Sequence, residues 1–138
     1  MLIVSCMLAI VCISSVAAQE VFIIANAGVP DNALSLQELK NIFNGKQRSW
    51  SDKSRIEIGT LVDSTTHDVF TQTYLNRTAR QFENHWRRLV FSGRARTIPD
   101  SLATQQEMVR FVGSTAGAIG YISAGTLIDD NIKILTIK

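Results

Sequence analysis

From residue 21 onward the chain alternates short apolar β-type runs with segments of helical period, and this alternation constrains the fold more than any other feature. Val21 to Ala25, "VFIIA", is an unbroken apolar run of the kind that forms a strand buried on both faces. Ser35-Leu36-Gln37-Glu38 reads as a capping box, with Ser35 as the cap and Glu38 reaching back. It opens a helix whose apolar face holds Leu36, Leu39, Ile42 and Phe43, and Gly45 ends it. Ile56 and Ile58 alternate as a second strand that runs on toward Leu61-Val62. After His67, the positions Val69, Phe70 and Tyr74 have helical spacing. Thr78 with Gln81 is a second capping box, and its helix runs to about Val90 with Phe82, Trp86, Leu89 and Val90 on one stripe. Trp86 and Phe91 both fit core positions of that helix. Thr104 with Glu107 caps a third long helix through Val112, and "GAIGYIS" and "IKILTIK" close the chain as β-type runs. The class is α/β, with a mostly parallel sheet of about four strands flanked by helices.

The first 18 residues stand apart. "MLIVSCMLAIVCISSVAA" carries no charge, is apolar almost throughout and ends in small residues. Val16 and Ala18 satisfy the small-residue rule for signal-peptidase cleavage, so residues 1–18 read as a signal peptide cut after Ala18. The apolar run is shorter than the ~20 residues of a membrane-spanning helix. Residues 19–138 then form one domain with a core of modest size. A chain that is 46% hydrophobic and 19% charged, with a net charge of +2, suits one globular domain and excludes disordered, collagen-like and coiled-coil classes. Both cysteines, Cys6 and Cys12, fall in the leader, so cleavage leaves no thiol for disulfides, catalysis or metal ligation. An exported domain without disulfides points to a bacterial periplasm.

"DSTTHDVF", residues 63–70, is where chemistry is concentrated. It leaves a strand and enters a helix, which is where open α/β sheets bind ligands. The first helical N–H groups have no intrahelical partner, and the dipole adds partial positive charge there. Ser64, Thr65 and Thr66 add hydroxyl donors without charge, a combination suited to a tetrahedral oxyanion. The carboxylates of Asp63 and Asp68 would repel a dianion unless one of them accepts its proton. Taken alone, the residues leave two readings open, because Ser and Thr are also preferred N-caps that need no ligand.

Other constellations exclude themselves. His67 with Asp63 and Ser64 has the residue types of a hydrolase triad, but neighbours in one turn do not reach triad geometry, and no G-x-S-x-G turn surrounds Ser64. The chain is therefore not an enzyme. His67 and His85 are the only histidines and form no H-x-x-x-H pair, so no metal or other cofactor is implied. Arg87, Arg88, Arg94 and Arg96 read as a solvated helix end that complements the dipole, and export separates the chain from nucleic acid. Trp50 packs against the first helix. Gly117 and Gly120 precede a strand instead of following one, so they serve a tight turn and close packing.

Several segments together resemble a known family. "LSLQELKNIFNGKQRSW" is similar to the "LS-x-x-E-L-x-x-I-F-x-G-K-x-x-x-W" segment of phosphate ABC transporter substrate-binding proteins. "STTHDVFTQTYL" resembles their "SGT-x-x-x-F-x-x-Y-L", "AGAIGYIS" their "PGAIGYV", and "W-x-x-L-x-F-S-G" recurs in short relatives. The matches stand in family order across residues 21–124. The resemblance implies one lobe of a type II periplasmic-binding-protein fold. It also implies ligand contacts from Ser64, Thr66 and the helix amides, with Thr65 in place of the family's glycine. With His67 beside them, the candidate ligand-binding set is Ser64, Thr65, Thr66 and His67. Thr60 stands where the family carries its phosphate-binding arginine, and the segments of the second lobe are absent. The partners implied are phosphate or another inorganic oxyanion, and an ABC transporter or other envelope protein. The alternative on the same fold is a ligand-free periplasmic module that docks on an envelope or membrane-protein partner.

Overall fold

The computed structural model describes residues 20–62 and 64–138; the expected leader, residues 1–18, and Asp63 lie outside the described residues. The elements are β1 (Val21–Asn26), β2 (Ala33–Leu34), α1 (Leu36–Phe43), β3 (Glu57–Leu61), α2 (Thr65–Leu75), α3 (Ala79–Phe91), β4 (Asp100–Leu102), α4 (Gln105–Ser114), β5 (Ala118–Ser123), β6 (Ile132–Ile134) and β7 (Thr136–Ile137). A five-stranded sheet runs β4-β3-β5-β1-β6, and β2 pairs with β7 in a small parallel sheet of its own. β3 is parallel to β4 and β5, while β1 is antiparallel to both β5 and β6. Four of the five strands therefore point one way and only β1 runs against them, which gives the expected mostly parallel sheet with one strand more.

The order of connections decides where the helices go. From β3 the chain moves outward to β4, and from β4 it returns past β3 to β5. Right-handed crossovers in opposite directions place their helices on opposite faces. Side-chain alternation along β5 confirms this. A Cβ on Gly120 would stand 2.4 Å from Met108 Sδ of α4, whereas its neighbour Tyr121 stacks on Phe70 of α2, with ring centroids 3.9 Å apart at 9°. Only Gly117 precedes β5 as expected; Gly120 lies within it, and glycine there, and at 59 in β3, is what lets α4 lie flat on the sheet. On the other face, α2 lies against the strands, with α1 and α3 packed beside it. Between the layers β1 is buried almost end to end, as its unbroken apolar run requires.

Caps set the helix starts. Ser35, Ser64, Thr78 and Thr104 each accept the amide three residues on, at 3.0–3.1 Å. The box is closed at Thr78, whose amide donates to Gln81 Oε1 at 2.9 Å. At Thr104 the partner Glu107 reaches one residue further back, to the Ala103 amide at 2.9 Å. Trp50 is buried and not left exposed, and its indole donates to the Gly117 carbonyl at 2.9 Å.

One core assignment is corrected. Trp86 is buried and donates to the Phe43 carbonyl at 2.9 Å, but Phe91 is 90% exposed. At 100° per residue, Phe91 lies about 180° around the helix from Phe82, on the far side from the stripe that faces the core.

Candidate functional site

The carboxyl ends of β3, β4 and β5 share one edge of the sheet, and two helices start there. The turn after β3 feeds α2, and the turn after β4 feeds α4, on the opposite face. A crevice between strands whose connections leave to opposite faces is the standard ligand position in such sheets. Both N-termini thus flank the same edge.

The four residues singled out in the sequence occupy the start of α2 with different degrees of burial. Ser64 is the N-cap, half-buried, and its Oγ accepts the His67 amide at 3.0 Å. That bond uses a lone pair and leaves the hydroxyl hydrogen for another acceptor. Thr65 is exposed at the first helical position. Thr66 is 2% exposed, and its Oγ1 accepts from Gln105 Nε2 at 2.9 Å. His67 is 5% exposed, and its Nδ1 bonds the hydroxyl of Tyr121. Asp68 is exposed in the first turn.

Two linkages, one half-buried and one buried, lock this helix start to the sheet. Gln105, the first residue of α4, donates to Thr66 and accepts the Ser123 amide through Oε1 at 3.0 Å. A single amide side chain therefore ties α2, α4 and the end of β5 together. Tyr121 is the second linkage: its hydroxyl oxygen accepts the Leu61 amide at 2.9 Å while bonding His67. Burial pushes the Tyr121 hydroxyl far above its ordinary range; the Leu61 amide opposes the shift and Asp68 adds to it. The group stays protonated and available as a hydrogen-bonding hydroxyl. Neither Gln105 nor Tyr121 stood out in the sequence, because each acts across a sequence separation of 18 residues or more.

Thr60, where the resembling family has arginine, is 7% exposed and donates to the Asp100 carbonyl at 3.3 Å. It lines a cavity of about 200 Å³ beside the start of α2, together with His67, Trp86, Arg87 and Ser101. Among the described residues no cluster of three or more His, Cys, Asp or Glu could hold a metal ion. None of the described helices is long and apolar enough to cross a membrane.

A family model described as a PBP superfamily domain matches residues 13–136, so the chain belongs to that family. Its fold is that of substrate-binding proteins in solved structures. One from Clostridium perfringens, described as a phosphate ABC transporter substrate-binding protein with bound phosphate, is 19% identical with a TM-score of 0.67 over 86% of this chain. PstS from Borrelia burgdorferi is 16% identical with a TM-score of 0.68 over 87% of this chain. An ABC-type phosphate transport receptor from Vibrio cholerae is 17% identical with a TM-score of 0.64 over 86%. The match spans 45%, 47% and 46% of those three chains, respectively. A comparison with curated proteins found no match.

Proposed function

We propose that the protein is an exported, non-enzymatic solute-binding domain that takes phosphate or a similar inorganic oxyanion at the start of α2. One observation carries this reading: Ser64 caps the helix with its lone pair and keeps its hydroxyl hydrogen to donate. Capping and ligand binding are therefore not alternatives at this residue. Thr65 adds an exposed hydroxyl and the helix end adds amides and dipole. Thr66 and His67 hold the turn in place through Gln105 and Tyr121. The phosphate-binding proteins of similar fold support the choice of ligand, and support an ABC transporter as the envelope partner. With Thr60 in place of an arginine, the donors at the helix start itself are neutral, so binding there is weaker than with a paired guanidinium.

The test separates capping from binding. The protein is melted with and without phosphate, sulfate and acetate. Phosphate at ~100 times its dissociation constant stabilises the fold by about 2.7 kcal/mol, or about 10 °C for a domain of this size. Ser64→Asp keeps an equally good cap but places a negative charge against the anion. It should melt like the parent without ligand and lose the response to phosphate. An unchanged response in Ser64→Asp refutes the site. No response to any anion leaves the ligand-free docking module as the reading of the fold.

A further inference from the structure

The opposite end of the sheet carries a cavity of about 420 Å³, within the usual size range of small-molecule sites. It exists because two segments diverge. Pairing of β3 with β4 begins only at Gly59 and Asp100, so Glu57 and Ile58 stand beyond the last β4 partner and face the gap. The floor is apolar, built on the buried side chains of Ile56 and Trp86, and Ile98, 54% exposed, forms an uncovered apolar wall. Four cations line it, Arg48, Lys53, Arg55 and Arg96, against two carboxylates, Glu57 and Asp100.

Two of the four cations, Arg48 and Arg55, are held by partners. Arg48 is held by the carbonyls of Gly45 and Arg94, contacts that fix its guanidinium without neutralising it. Lys53 sits in the left-handed region at φ 68, a conformation uncommon for a residue with a side chain, and its amide is tied to the Trp50 carbonyl at 2.9 Å. Arg55 pairs with Glu57 at 3.2 Å, and this is the only ion pair among the described residues. Positive charge is left in excess over a concave apolar surface, which focuses the field on an anion.

We propose that this cleft is a second binding site, for a small organic anion with an apolar body and a phosphate or carboxylate head. The body covers Ile98 and the floor, and the head sits among the arginines. An inorganic anion has nothing to place on the floor, so this end of the sheet selects a different ligand from the α2 end. ¹H–¹⁵N spectra of the protein are titrated with phenyl phosphate, phenylacetate and inorganic phosphate. Saturable shifts of the Ile58, Ala95 and Arg96 amides with either organic anion, and not with inorganic phosphate, are expected. Arg55→Gln and Arg96→Gln, both at exposed positions, should each weaken that binding about tenfold. The proposal is overturned if neither organic anion gives saturable shifts there, if inorganic phosphate moves the same amides as strongly, or if both variants bind with parental affinity.

Discussion

Replacing Tyr121 with Phe removes one oxygen from a side chain that has no solvent exposure. The ring keeps its volume and its stack on Phe70, so no cavity forms. The cost is polar. The Leu61 amide is left without its acceptor in the interior, at about 1–3 kcal/mol, and losing the His67 bond adds about 1 kcal/mol. The expected total is about 2–4 kcal/mol, which at about 4 °C per kcal/mol lowers the melting midpoint by about 8–16 °C. Circular dichroism melts at neutral pH read this directly. The same pair carries a signature at alkaline pH. Burial holds the folded-state hydroxyl well above the ordinary 10.0, so the unfolded chain ionises first. The stabilisation from keeping that proton is complete below pH ~10 and falls above it by about 1.4 kcal/mol per pH unit. The variant lacks this titration, so the gap between parent and variant narrows as pH rises past ~10. A drop of less than about 2 °C at neutral pH, or a gap that stays constant between pH ~10 and ~11, refutes the reasoning.

Gly117→Ala should be severe, because φ is +77° and its Cβ would stand 2.1 Å from the Arg55 carbonyl oxygen. A loss of about 3 kcal/mol or more in urea denaturation is expected, and a loss below about 1 kcal/mol contradicts it. Gln105→Ala opens the tie between α2, α4 and β5 and orphans the Ser123 amide, costing about 1–3 kcal/mol. Hydrogen exchange should accelerate at Ser123, and the phosphate response should shrink; unchanged exchange there contradicts the assignment. Phe91→Ser should stay within about 0.5 kcal/mol of the parent, while Phe82→Ala on the opposite side of α3 costs about 3–5 kcal/mol. Chemical denaturation of the two variants compares them, and equal losses would put Phe91 back in the core.

What the residues alone determined is local. A Ser or Thr just ahead of a run of helical period caps the helix through the amide three residues on, and Ser35, Ser64, Thr78 and Thr104 all do so. The apolar run of β1 and the α/β alternation were equally legible, because strand burial and helical period are written within a few residues. Phe91 was misplaced although its position was equally legible: nine residues at 100° each set it about 180° from Phe82, off the stripe it adjoins in sequence. The tertiary structure alone decided the reversed direction of β1, the division of helices between two faces, and the links from Gln105 and Tyr121 to the start of α2. Those depend on pairings across tens of residues, where chain order carries no distance information. The two roles open to Ser64 divide along this line. Its capping role is local and legible, while its place at the carboxyl edge of the sheet comes from three strands ending together and two helices beginning beside them.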